Sequence, residues 1–361
     1  MYLLICILCV FLISLCITAL LIIFKKIYLK SSKINIEKPQ LIHLDLVPRI
    51  GGISIFVSLI SVLFFKESIF FYTISLIILS SIPVFILGFL EDLTSKIRPL
   101  WRLLASFISA LLIVHLADLQ IISVGISSID QMIEIFPLFY ILTILAIVSL
   151  IQSYNIIDGL NGLSSFTYLI TLLSLSYIAY DQGDKMIFEI NLILIFSILG
   201  FVAFNFPFGK IFLGDGGAYL IGFILSVIII LLSQRNIEIS PVAFILLVLY
   251  PIHEITRSYF RRLLKKNIRS MDPDIEHFHS LVYKYILIKY GRSLIFSNSV
   301  STMFVIVFPV FSSLFAANFY YDKYKIFIAI IIQITVFELS IYMINQGIIK
   351  LYKVKNDKLK E

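Results

Sequence analysis

Charge is scarce in this chain. Only 14% of its 361 residues are Asp, Glu, Lys or Arg, while 60% are hydrophobic, and the mean hydropathy is +1.02. A soluble domain carries about 25% charged residues and cannot bury this much apolar side chain. A soluble enzyme is therefore excluded. Cysteine is almost absent as well: Cys6, Cys9 and Cys16 all fall inside the first hydrophobic run. There they cannot form a disulfide framework or a zinc ribbon, and they read as small apolar residues facing lipid or a neighbouring helix. The chain shows no internal repeat, no low-complexity tract and no basic-aromatic module of the kind that binds nucleic acid.

What the chain has is hydrophobic runs. About 20 apolar residues cross a bilayer as a helix. Eleven runs qualify, near 2–24, 50–65, 69–90, 102–121, 134–153, 163–180, 186–206, 213–233, 240–256, 293–316 and 325–346. The ninth is the weakest, because Pro251, His253 and Glu254 crowd its end. The expected fold is an all-α polytopic membrane protein of about eleven transmembrane helices, a single integral domain over 1–361. The first run lacks a basic n-region and a small-x-small cleavage site, so it reads as a retained span rather than a signal peptide. Threading the runs from an external N-terminus puts 24 of the 29 Lys and Arg residues in internal segments. That bias sets the orientation by the positive-inside rule. It also makes the inner face attractive to anionic headgroups and anionic substrates.

With this threading, Asp92, Asp158 and Asp215 lie in three hydrophilic islands on one side. Acids near hydrocarbon are costly, so their convergence suggests a metal-phosphate site. Each island has ordinary readings too. Arg49, in His43-Leu-Asp-Leu-Val-Pro-Arg49-Ile-Gly51-Gly52, could be a snorkelling anchor, and the paired glycines allow close helix approach. Glu91 and Asp92 adjoin at the inner end of a span and repel unless a cation neutralises them; Lys96 and Arg98 lie nearby. The third island, Asn155-Ile-Ile-Asp158-Gly159-Leu-Asn161-Gly162, carries more polar groups than a turn needs. Asn155 and Asp158 are three apart and share a face if the helix continues. Asp215 begins a helix among Gly214, Gly216 and Gly217, where it could serve only as a cap. Asn205 and Lys210 precede it, and Lys210 is a candidate phosphate partner as the one basic residue of that loop.

The largest island alternates Arg257, Arg261, Arg262, Lys265 and Lys266 with Tyr259, Phe260, Leu263 and Leu264. Such a helix lies in the headgroup plane. Asp272, Asp274, Glu276, His277 and His279 follow. Imidazoles contacting phosphate or a nucleotide fit this stretch better than a zinc site, which would need more ligands. Within the spans, Glu338 with Gln333 on the last run is expected to make a helix-helix hydrogen bond.

Together these islands resemble the polyprenyl-phosphate N-acetylhexosamine-1-phosphate transferase family (glycosyltransferase family 4), which includes the phospho-N-acetylmuramoyl-pentapeptide transferase and the initiators of O-antigen and teichoic-acid assembly. The resemblance rests on HLDLVPRIGG (43–52), GFLEDL (88–93), NIIDGLNGL (155–163), FNFPFGKIFLGDGGAYLIG (204–222) and RRLLKKNIRSMDPDIEHFH (261–279), in the family's order. It departs twice: Glu91 stands where the family usually has Asp, and Asn161 where it usually has a second Asp. The last motif, with Asp274, His277 and His279, is closer to the O-antigen type; the muramoyl-pentapeptide type has a triple-histidine run.

The resemblance implies a cytoplasmic active-site cleft in a bacterial inner-membrane enzyme that starts a cell-surface glycan. It implies transfer of N-acetylhexosamine 1-phosphate from a UDP-sugar to undecaprenyl phosphate, giving undecaprenyl-diphospho-sugar and UMP. Glu91, Asp92, Asp158 and Asp215 would be catalytic. Mg²⁺, with Mn²⁺ able to substitute, would sit on Asp215 with Asp92 close by. His43, Arg49, Asn155, Asn161, Asn205, Lys210, Arg262, Asp274, His277 and His279 would bind substrate. The partners are the two substrates and the bilayer, with self-association into a homo-oligomer compatible. Two alternatives stand beside this: the pentapeptide-carrying donor of peptidoglycan synthesis, and a transporter or flippase of an anionic lipid or nucleotide. Transporter sites usually lie at the midplane between repeats, which disfavours the latter. Single and double displacement remain open.

Overall fold

The computed structural model describes residues 1–25, 47–66, 68–133, 138–264, 276–291 and 293–358. Among them every regular element is a helix: α1 (Tyr2–Ile23), α2 (Gly52–Ile60), α3 (Phe71–Thr94), α4 (Pro99–Leu116), α5 (Ser127–Ile133), α6 (Leu138–Ile157), α7 (Leu163–Asp181), α8 (Lys185–Asn205), α9 (Gly214–Arg235), α10 (Pro241–Leu247), α11 (Leu249–Leu264), α12 (Phe278–Tyr290), α13 (Leu294–Val305), α14 (Val307–Phe319) and α15 (Lys323–Lys358). Nine helices among the described residues are long and apolar enough to cross a membrane, counting α13 and α14 as one. In lipid the backbone must satisfy itself, and a helix does so within one segment.

Two of the eleven expected runs fall outside that set. The run at 50–65 is the short apolar helix Gly52–Phe64, ending in a 3₁₀ turn over Ser61–Phe64. The run at 240–256 is broken at Val248 into α10 and α11. Pro251 explains the break: it lacks an N–H, and its ring crowds the Leu247 carbonyl. Pro309 acts similarly at the α13–α14 junction, where it cannot donate to the Val305 carbonyl. Inside α3, Pro83 frees the neighbouring backbone, and the Val84 N–H donates instead to Ser109 Oγ on α4 at 3.1 Å.

Helix α9 is the axis of the bundle. It is apolar on every side and buried along nearly its whole length, packed against α2, α3, α6 and α7. Its two ends differ. At the C-terminal end Arg235 pairs with Asp184 at 2.6 Å, and Asn236 Nδ2 donates to the same carboxylate at 3.2 Å. Asp184 also caps α8 by accepting from the Ile187 N–H. Burial alone would raise this carboxyl; the Arg235, Ile187 and Asn236 hydrogen bonds outweigh it and hold Asp184 below its ordinary range. The N-terminal end lies roughly 30 Å away by the helical rise, and there the acids gather. On α15, Glu338 reaches His253 Nε2 at 3.1 Å and Arg257 Nε at 3.5 Å on α11, and Gln333 accepts from Ser312 Oγ at 2.7 Å. Both are the helix-helix contacts expected of polar groups in a span.

Candidate active site

The site is built around the first turn of α9. The segment leading to it pairs with the entry to α2: the Phe212 N–H donates to the Pro48 carbonyl, and the Gly51 and Gly52 N–H groups donate to the Phe212 and Leu213 carbonyls, all at 2.9 Å. Glycines let the helices meet. A Cβ on Gly52 would lie 2.5 Å from Gly217 Cα, and one on Gly88 would lie 2.7 Å from Gly216 Cα. Neither neighbour can yield, because both are backbone. Gly88→Ala should therefore push α3 off α9, costing on the order of 1–3 kcal/mol and most of the activity. Thermal unfolding in detergent together with turnover measures this; unchanged values for both would show that the helices do not touch here.

Asp92, on the last turns of α3, is buried, and its carboxylate faces the start of α9. Oδ1 accepts from the Asp215 N–H at 2.8 Å, and Oδ2 from the Gly216 N–H at 2.9 Å. A helix start leaves its first N–H groups unpaired and carries a partial positive charge. Here the acceptor comes from another helix. Asp215 itself does not cap α9, which has no side-chain cap bond of its own. Its carboxylate instead takes two arginines: Arg49 Nη2 at 3.4 Å on Oδ1, and Arg102 Nη1 on Oδ2. Gly214 makes room, with φ +78°; a Cβ there would stand 2.6 Å from Asp92 Oδ2.

Asp158 follows the end of α6, enclosed by protein though its edge still reaches solvent. Burial pushes its carboxyl up to about 7; Arg49 opposes the rise and Asp215 adds to it. Asp158, Asp215 and Arg49 thus share one electrostatic neighbourhood, and a cation beside them would keep Asp158 ionised. Glu91 does different work from its neighbour. Its Oε2 accepts from the Ile97 N–H at 2.8 Å and closes the turn from α3 to α4.

The amides of the islands are mostly engaged with backbone. Asn205 Oδ1 accepts from the Gly162 N–H at 2.7 Å while its Nδ2 donates to the Ile211 carbonyl at 2.7 Å. Asn161 is buried between loops: its N–H donates to Asn298 Oδ1 at 2.8 Å, and its carbonyl accepts from Thr302 Oγ1 at 2.8 Å. Both therefore shape the loops around Asp158. Asn155 lies half-buried on the last turn of α6. Lys210 is exposed, with Nζ 5.8 Å from the Phe208 ring centre. Arg262 is half-buried on the last turn of α11. His277 and His279 are buried at the start of α12, and His279 Nε2 abuts Gly159, where a Cβ would lie 2.3 Å away. His279 is thus brought to the Asp158 loop, with the His277 ring stacked on it at 5.4 Å. His43 and Asp274 lie outside the described residues.

Two residues join the site that sequence reasoning did not select. Arg102 enters as the partner of Asp215; its signal was a basic residue one turn into a span. Glu254 enters as the partner of His277; its signal was a buried acid beside Pro251 in an otherwise apolar run.

Residues 74–233 match the model of a protein family described as glycosyl transferase family 4. The chain is 30% identical over 301 residues to the undecaprenyl-phosphate alpha-N-acetylglucosaminyl 1-phosphate transferase of Thermotoga maritima, covering 79% of this chain and 86% of that protein. It is 27% identical over 288 residues to the probable undecaprenyl-phosphate N-acetylglucosaminyl 1-phosphate transferase of Bacillus subtilis, covering 77% and 79%. A shorter match, 33% over 104 residues, runs to the phospho-N-acetylmuramoyl-pentapeptide-transferase of Staphylococcus saprophyticus and covers 32% of that protein.

Proposed function

The chain belongs to glycosyl transferase family 4, and from that premise we propose that it transfers N-acetylhexosamine 1-phosphate from a UDP-sugar to undecaprenyl phosphate, releasing UMP. The observation that carries this reading is the meeting of Asp92, Asp158 and Asp215 with Arg49 and Arg102 at one helix start. A lipid phosphate oxygen attacks the β-phosphorus of the donor. The bond from that phosphorus to the bridging oxygen breaks, and UMP leaves with the electron pair. Both reactants are anions, so catalysis is mainly positioning and charge neutralisation. Arg49 and Arg102 supply fixed positive charge beside the reacting phosphates. Asp92 holds the α9 terminus, and so Asp215, in place. Asp158, with Asn155 one turn before it, faces the donor, and His277 and His279 meet its phosphates from α12.

The acids fit a divalent cation. No group of three His, Cys, Asp or Glu side chains closes to ligand distance among the described residues. Mg²⁺ commonly takes one or two carboxylates and completes its shell with phosphate oxygens and water. Asp215, with Asp92 beside it, supplies that pair, and three acids outnumber the two arginines. Bound there, Mg²⁺ or Mn²⁺ would act as a Lewis acid on the donor diphosphate.

In this reading the N-terminus is external, α2 and the α10–α11 pair complete eleven spans, and the site opens to the cytoplasm of a bacterial plasma membrane. A cleft of about 490 Å³ lined by Arg257, Phe260, Arg261 and Leu264 of α11 and by Glu338 offers an apolar wall with basic groups, as a polyprenyl phosphate would need. The test is a membrane assay with undecaprenyl phosphate and a panel of UDP-sugars, scored by UMP. We expect UMP release with a UDP-N-acetylhexosamine, its loss in EDTA and its return with Mg²⁺. Full turnover in chelator would overturn the metal assignment, and no release with any UDP-sugar would overturn the function.

A further inference from the structure

Glu254 is the most deeply buried acid near the site, at 1% exposure, and the mechanism above gives it no step. It stands on the second turn of α11. Its Oε1 accepts from the Phe278 N–H at 3.0 Å, and its Oε2 lies 3.2 Å from His277 Nδ1. His279 Nδ1 lies 3.9 Å from Oε1. The two imidazoles are parallel, 5° apart, with centroids separated by 5.4 Å. His277 is extended, with φ −65° and ψ 147°, immediately before α12, and its ring stacks on that of His279 in the first turn. Glu254 thus hydrogen-bonds one imidazole, His277, and lies within ion-pair distance of the other, His279. The Nε2 atom of His279 points the other way, against Gly159, next to Asp158.

We propose that Glu254 is a positioning residue: it fixes the His277 ring through Nδ1 and, through the ring stacked on it, keeps His279 Nε2 toward the Asp158–Gly159 loop, where the pair meets an anionic oxygen of the donor. A carboxylate behind an imidazole sets its tautomer and ring orientation; behind a metal-ligating imidazole, losing such a partner typically costs about 10–100-fold in metal affinity or activity, and the same range is expected for an imidazole on an anionic oxygen. Arg257, one turn along α11, the adjacent His253 and Tyr250, one turn before, also interact electrostatically with this carboxylate. Burial makes the arrangement demanding, because a buried carboxylate stays charged only when hydrogen-bonded. Glu254 has the Phe278 amide for this as well as the His277 imidazole. The competing role is a simple cap of α12, and Gln would keep that acceptor.

The inference rests on the reading that the histidine pair contacts the donor, and the experiment separates the two. In full-length enzyme in detergent, kcat/KM for the UDP-sugar is measured for Glu254→Gln, His277→Asn/His279→Asn and the triple variant. We expect Glu254→Gln to fold, to lower donor kcat/KM by about 10–100-fold, and to leave the KM for undecaprenyl phosphate within about twofold. On the histidine-free background it should add nothing. A histidine double variant with wild-type donor kcat/KM would remove the donor-contact reading and the proposal with it. An impaired histidine variant beside a wild-type-like Glu254→Gln, or fully additive losses in the triple variant, would overturn the positioning role alone. Should Glu254→Gln fail to fold, Glu254→Asp, which keeps the charge and shortens the arm, gives the same comparison.

Discussion

Replacing Asp215 by Asn should lower UMP release by at least about 10²–10³-fold while leaving the protein folded. The structure separates the two effects. Asn and Asp cap helices about equally, so a capping Asp215 would tolerate the change. Asp215 is not the cap of α9: Asp92 accepts the first N–H bonds, including that of Asp215 itself. What the substitution removes is a negative charge facing Arg49 and Arg102. The Asn carbonyl still accepts from Arg102, and the Arg49 side chain, 46% exposed, can turn to solvent, which the buried backbone donors of Asp92 cannot, so folding is spared. The charge balance of the phosphate site is changed, and its cation ligand is weakened. Turnover and thermal unfolding measured on the same preparation decide the matter. Near-wild-type turnover would place the chemistry elsewhere, and loss of folded protein would make Asp215 a structural residue.

Asp92→Asn should be damaging in both respects, and Glu91→Gln should be mild. Asp92 uses both oxygens on adjacent N–H groups, and an amide offers only one acceptor while pointing its NH₂ at a donor. One buried N–H is left unmatched, at about 1–3 kcal/mol, directly beneath Asp215. Glu91 makes one bond to the Ile97 N–H, which Gln can keep. A lipid phosphate is largely ionised at neutral pH and needs little help from a base. UMP release across roughly pH 6–9, with unfolding midpoints alongside, compares the two. Glu91→Gln as inactive as Asp92→Asn at every pH would restore an obligatory base role to Glu91.

The hydropathy of the chain made the long spans legible, because a bilayer sets their length. The three acidic islands were legible because acids are expensive at that depth. Less visible were features that depend on pairs far apart in sequence. Arg102 and Asp215 are 113 residues apart, and Asp92 meets the Asp215 amide from 123 residues away. A local reading of Asp215 could offer only a self-cap or a ligand, since the helix that supplies the real cap is elsewhere. The breaks at Val248 and Ile306 come from Pro251 and Pro309, whose cost falls four residues back. Asn205 shows a further limit. An amide at membrane depth suggests a ligand, but here it also bridges Gly162 and Ile211 to hold two loops together.

The most direct test of the central claim follows one phosphorus atom. Membranes or purified enzyme are given undecaprenyl phosphate and UDP-N-acetylhexosamine labelled with ³²P at the β-phosphate, and the label is partitioned between lipid and water. Transfer of sugar 1-phosphate predicts that the label moves into the lipid fraction as unlabelled UMP appears in equal amount. Label retained in aqueous UDP while the sugar alone enters the lipid would contradict the account, because the bond broken would then be the glycosidic one.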